Sequence, residues 1–116
     1  MGTAGEISLR EGGRMFGLSV RFTCKDADSA AGFDELVAQT VAQIREREPG
    51  TLVYAVHTVA GKPLERIFYE LYRDRAAFDA HEEQPHTRRM LAERGQFLAA
   101  TDVDFLTLQT GKGTDG

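Results

Sequence analysis

The chain has no tryptophan and no asparagine, and only one cysteine, three prolines and three histidines among its 116 residues. A lone Cys24 cannot close an internal disulfide, so cysteine usage gives no sign of an oxidising compartment. With no base or positive setting evident beside it, Cys24 reads as a small residue in or near a strand rather than as a nucleophile. No stretch reaches the roughly 18 apolar residues of a membrane-spanning helix. Residues 1–14 mix glycine with charge and lack the apolar segment of a secretion signal. A cytoplasmic protein is expected. A positive excess is also missing: fourteen Lys and Arg face eighteen Asp and Glu, for a formal charge of −4 at pH 7. The arginines are scattered, so the chain shows no footprint for nucleic acid, and neither nucleic acid nor membrane is an expected partner. No glycine-rich phosphate loop, flavin or nicotinamide fingerprint, or Gly-x-Ser-x-Gly elbow occurs, and no cofactor is expected.

What is present suits one small domain. At this length, with 41% apolar residues, the chain can bury a modest core without help from metals or disulfides. Residues 1–13 and 111–116, rich in glycine and polar side chains, are expected to be disordered tails around a domain at 14–110. Phe16, Leu18, Val20 and Phe22 alternate with Gly17, Ser19, Arg21 and Thr23, the period of a strand with one apolar face. Asp28 and Ser29 can cap a helix, along which Phe33, Leu36, Val37, Val41 and Ile44 recur at helical spacing until Pro49-Gly50. Residues 51–59 and 65–72 are rich in β-branched and aromatic side chains, and 60–64 between them have hairpin length. A short helix over 74–81 breaks before Pro85, which suits the first turn of a helix running to about 98. A fourth strand follows over 103–110. The order βαββαβ predicts a ferredoxin-like α+β fold, a four-stranded antiparallel sheet with the helices on one face. Both sheet faces read as too apolar for water, which predicts a homodimer covering the second one.

Centring the hairpin on Lys62 sets Tyr54 opposite Glu70, Val56 opposite Phe68 and Leu52 opposite Tyr72 on a shared face. Glu70, flanked by Phe68 and Tyr72 at mid-strand, must be paired, hydrogen-bonded or protonated if buried. It is either a structural acid satisfied by a tyrosine or arginine, or a general acid or base. Phe78 and His81 lie three residues apart on the short helix. His86, Met90 and Phe97 fall within about 40° of one another on the next, at 100° per residue. Histidines on such faces either satisfy a core or pocket or carry acid–base work. The spacing from His81 to His86, interrupted by Pro85, does not match the usual i, i+4 helical metal pair, and no metal is expected.

The run Phe68-Tyr69-Glu70-Leu71-Tyr72-Arg73-Asp74, then Ala77-Phe78-Asp79-Ala80-His81 and Gln84-Pro85-His86, resembles the central signature of the antibiotic biosynthesis monooxygenase domain family. Glu48-Pro49-Gly50-Thr51-Leu52 resembles the same family's turn before strand two. The resemblance implies a dimeric α+β barrel with a pocket between sheet and helices, lined by Phe68, Glu70, Tyr72, Phe78, His81 and His86. Some members of the family oxidise quinols or anthrone-like polyketides with molecular oxygen and no flavin or metal, others degrade heme, and one branch isomerises a phosphorylated signal. The heme degraders carry an asparagine, a tryptophan and an iron-ligating histidine where this chain has none; Leu91 stands at the histidine's position. Heme degradation is therefore not expected. The expected function is cofactor-independent monooxygenation of a quinol or hydroxylated polycyclic aromatic, with His81 or Glu70 as base and Tyr54, Tyr72 or His86 bonding the developing charge. Phe68, Phe78 and Met90 complete the expected substrate-binding set. The alternatives are an isomerase of the autoinducer-2-phosphate type, with Arg21 or Arg66 as anion partner, and a non-catalytic ligand-binding dimer.

Overall fold

A computed structural model describes residues 14–114. The expected tail at 1–13 lies outside the described residues, as do the last two residues of the chain. Residues 111–114 carry neither helix nor strand.

Strand β1, Phe16–Cys24, turns Leu18, Val20, Phe22 and Cys24 into the core. Helix α1, Ala27–Arg47, is capped by Asp26, not by Asp28 or Ser29 as its sequence suggested. The backbone of Asp26 is extended, and its carboxylate accepts the Ser29 N–H at 2.7 Å. The helix buries Phe33, Leu36, Val37 and Ile44 and ends at Glu48, whose N–H reaches the Ile44 carbonyl. Strands β2, Thr51–Val59, and β3, Lys62–Tyr72, form the hairpin. Its turn is only Ala60-Gly61, tighter than expected, because Gly61 adopts a φ of 76°, which L side chains rarely take. Tyr54 pairs with Glu70 and Val56 with Phe68, as the alternation predicted, but Tyr72 pairs with Thr51. An irregularity between Thr51 and Val53 removes Leu52 from that register.

Helix α2, Arg75–Glu83, is capped by the Asp74 carboxylate, and α3, Pro85–Glu93, starts with proline at its first position. The last helix is shorter than expected. A single 3₁₀ turn, Arg94–Gln96, follows it, and β4 runs over Leu98–Thr107 rather than 103–110. The Lys25 N–H bonds the Phe97 carbonyl at 2.9 Å and Cys24 pairs with Leu98, so pairing with the end of β1 draws this segment out of the helix.

The four antiparallel strands lie in the order β2-β3-β1-β4, the ferredoxin-like arrangement. The helices pack on the face that carries Leu18, Val20, Phe22, Phe68, Glu70 and Tyr72. Phe22 meets Phe68 edge-on at 4.7 Å between ring centres and Phe33 at 5.1 Å. The opposite face is apolar over β2 and β3, where Val53, Ala55, Ile67 and Tyr69 are half-buried. It is polar over β1 and β4, where Arg21 pairs with Glu65 beside Asp102 and Asp104. Among the described residues no helix is long and apolar enough to cross a membrane.

Candidate functional site

Between the sheet and the helices lies a cavity of about 160 Å³, with Leu18, Val20, Phe22, Tyr54, Glu70, Phe78 and Met90 in its walls. Its outer rim is formed by Leu91 from α3 and by Val103 and Phe105 from β4, which are 41%, 44% and 65% exposed. The β4 side chains are exposed because β4 is an edge strand that the helices do not cover. Phe105 leans on Phe16 and Phe78, giving this rim an aromatic side.

Among the described residues, Glu70 is the one buried acid facing the cavity, at 7% exposure. The Tyr72 hydroxyl donates to its Oε1 at 2.5 Å. Burial pushes the Glu70 carboxyl above the ordinary glutamate value, and the Tyr72 hydroxyl offsets only part of that rise. Burial likewise drives the Tyr54 and Tyr72 phenols up, so both remain O–H donors. The Tyr54 hydroxyl points at the Met90 sulfur, 4.0 Å away. An acid of raised proton affinity, the Tyr54 hydroxyl and a ring of hydrophobic side chains can hold an aromatic molecule and remove a proton from it.

The structure divides the residues picked out from sequence. Tyr54, Glu70, Phe78 and Met90 share the cavity. Phe68 and Tyr72 are fully buried behind its wall rather than lining it. His81 and His86, expected in the pocket, are not among its lining residues. The His81 ring lies against Tyr54 and Tyr72, 5.6 and 5.3 Å between ring centres, and its Nδ1 is 2.7 Å from Glu48 Oε1. His86 Nε2 contacts the other oxygen, Glu48 Oε2. Because an ionised carboxylate only accepts, both imidazoles donate to it. The Thr51 hydroxyl donates to Oε1 at 2.7 Å. Burial pushes the Glu48 carboxyl up, but the hydrogen bonds from His81, Thr51 and His86 outweigh it and hold its pKa at about 2.

Glu48 was missed as a functional residue because nothing local marks it; it stands 33 residues from His81 and only the fold joins them. Arg94 was also missed. It lines the cavity and holds its guanidinium 5.5 Å from the centre of the Phe22 ring. Neither arginine expected to bind an anion reaches the cavity. Arg21 pairs with Glu65 on the far face, and Arg66 is held by both Asp34 oxygens, at 2.8 and 2.9 Å.

Fold and cavity together define a small ferredoxin-like protein with a cavity between sheet and helices. The sequence profile of the antibiotic biosynthesis monooxygenases matches residues 15–93, and the chain belongs to that family. Solved structures share its fold. Rv0793 from Mycobacterium tuberculosis is 24% identical, with a TM-score of 0.77 over 84% of this chain and 98% of that one. PA3566 from Pseudomonas aeruginosa is 22% identical, with a TM-score of 0.75 over 85% and 98%. A Caulobacter crescentus protein described as a candidate antibiotic biosynthesis monooxygenase is 21% identical, with a TM-score of 0.79 over 90% and 99%. At such identities the likeness speaks to the fold alone. No curated protein matches the chain.

Proposed function

We propose that the protein is a cofactor-independent monooxygenase that oxidises a quinol or a related hydroxylated aromatic with molecular oxygen, working as a homodimer. The observation that carries this reading is Glu70, a buried acid of raised proton affinity in the wall of an otherwise aromatic and aliphatic cavity. Glu70 takes the phenolic proton; the resulting anion is electron-rich enough to pass an electron to oxygen. The Tyr54 hydroxyl and the Arg94 guanidinium, both in the cavity wall, stabilise the negative charge as it forms. Quinol and dioxygen become hydroxyquinone and water, and the substrate itself supplies all four electrons that reduce the dioxygen. About 160 Å³ is below the roughly 300 Å³ at which ligand pockets usually begin. One ring therefore sits inside, and the remainder of a larger substrate lies across Val103 and Phe105.

The test is oxygen uptake by metal-free, flavin-free protein against a panel of quinols and hydroxyanthracenes. Glu70→Gln is expected to lower the rate on the order of 10²-fold. In the wild type the rate should rise with pH along a limb lying above the ordinary glutamate value of 4.5. No uptake across the panel, or an unchanged rate in Glu70→Gln, would overturn the proposal.

A further inference from the structure

The proposed reaction leaves one buried group of chemically active side chains without a task. Glu48, His81 and His86 come from three segments, the C-terminal cap of α1, the last turn of α2 and the first turn of α3. Each offers one ligand atom, and these atoms all lie within 4.8 Å of one another. We propose that Glu48, His81 and His86 form a binding site for a divalent first-row transition cation, with zinc as the reference ion. The inference is independent of the oxygenase reading.

Three observations support it. First, the donor set, two imidazole nitrogens and a carboxylate oxygen, is the set that zinc and its neighbours in the first row bind. Second, Glu48 is a buried carboxylate whose ion-pair partners among the described residues are the two imidazoles alone; no lysine or arginine is paired with it. Buried charges are paired or ligate metals, and a cation here would supply the missing positive charge. Third, the donors can be reached and completed. Glu48 and His81 line a cleft of about 250 Å³, and His86 lines a groove of about 600 Å³ on the neighbouring surface. The Thr51 hydroxyl lies 2.7 Å from Glu48 Oε1 and the Thr87 hydroxyl 3.4 Å from His81 Nδ1, so further oxygen donors stand at hand.

The spacing that spoke against a metal in the sequence is what builds the site. His81 and His86 do not share a helix. Gln84, with an extended ψ of 142°, separates α2 from α3, and Pro85 starts the new helix. The break aims His81 Nδ1 and His86 Nε2 at the same carboxylate. Zinc at about 2.0–2.1 Å from each nitrogen would need its donors roughly 3.3 Å apart, which small side-chain rotations provide. When the cation binds, it replaces the imidazole hydrogens on the carboxylate. Each neutral ring keeps its proton on the nitrogen that faces away from the metal.

The test is a titration of metal-free full-length protein with cobalt(II), followed by zinc(II). Visible cobalt absorption should saturate at one equivalent and be abolished by one equivalent of zinc. His86→Ala should weaken cobalt binding at least about 10-fold. Because that variant could unfold, a measurement on the wild type accompanies it: imidazole nitrogen shifts on zinc addition. The signals of His81 and His86 should move, while those of exposed His57, whose Nδ1 lies 3.0 Å from the Ile67 carbonyl, stay in place. Absence of a saturable cobalt band, movement confined to His57, or unchanged affinity in a folded His86→Ala would overturn the site. Glu70→Gln should keep the cobalt stoichiometry even where it slows oxygen uptake, so the failure of one proposal is distinguishable from the failure of the other.

Discussion

Two buried glutamates in this small domain have opposite fates, and the number of hydrogen-bond donors each receives decides which. Glu70 takes one phenolic hydroxyl and is left with a raised proton affinity; Glu48 takes two imidazoles and a threonine hydroxyl and stays ionised to about pH 2. Glu48 therefore contributes stability that is fully present above its ordinary value of 4.5 and is lost as pH falls through about 2. The shift is worth on the order of 3 kcal/mol. Urea unfolding at pH 7 and at pH 3 should show Glu48→Gln costing more stability at the higher pH. Equal cost at both would mean that the imidazoles do not hold the charge. Tyr72→Phe removes the donor to Glu70 and leaves a buried carboxyl oxygen without its partner, which should destabilise by about 1–3 kcal/mol in the same assay. It should also move the Glu70 limb of the rate profile to higher pH, since the hydroxyl opposes the effect of burial.

Among elements, the loop between α1 and β2 packs too closely on α2 to admit a side chain at Gly50. A β-carbon on Gly50 would lie 2.7 Å from the Ala77 Cβ, so the loop and α2 fit only without it. The Gly50 carbonyl also accepts the Arg73 N–H at 2.9 Å, tying the same loop to the end of β3. Gly50→Ala should push α2 away and lower stability by about 1–3 kcal/mol, measurable as a shift in the urea midpoint. Element order, the α1 register and the face of β3 that enters the core were legible in the sequence, because alternation and helical spacing are local properties. Phe68, Glu70 and Tyr72 could be placed on one face without knowing what covers it. The Leu52 slip, the early start of β4 and the cap at Asp26 were not legible. Each depends on a partner brought in from elsewhere or on a backbone angle that composition does not encode. The same holds for the site. Glu70 stands out in sequence as an acid between aromatics, whereas Glu48 gains its meaning only when α2 and α3 deliver two histidines to it.

For the molecule as a whole, the sheet face away from the helices divides into an apolar half over β2 and β3 and a charged half over β1 and β4. Two copies related by a twofold axis can cover the apolar half while leaving the charges at the margin. Light scattering at micromolar concentration is expected to give twice the 12.8 kDa chain mass. Ile67→Glu, which places a charge in the middle of the apolar half, should shift the protein toward the monomer. A wild-type monomer would refute the proposed dimer.

The strand order also sets a sequence of events in time. The β2–β3 hairpin joins neighbours through a two-residue turn, whereas β1 finds β3 and β4 only after long stretches of chain have closed. The hairpin can therefore assemble first and dock β1, and β4 adds to the far edge last. By the same order β4 is the first strand to peel away. Amide hydrogens in β1 and β3 should exchange slowest with solvent, and those on the outer edge of β4 fastest. The rim of the cavity that β4 supplies would then open and close without unfolding the rest, giving a substrate a way in that the closed wall of Leu18, Val20 and Phe22 does not offer.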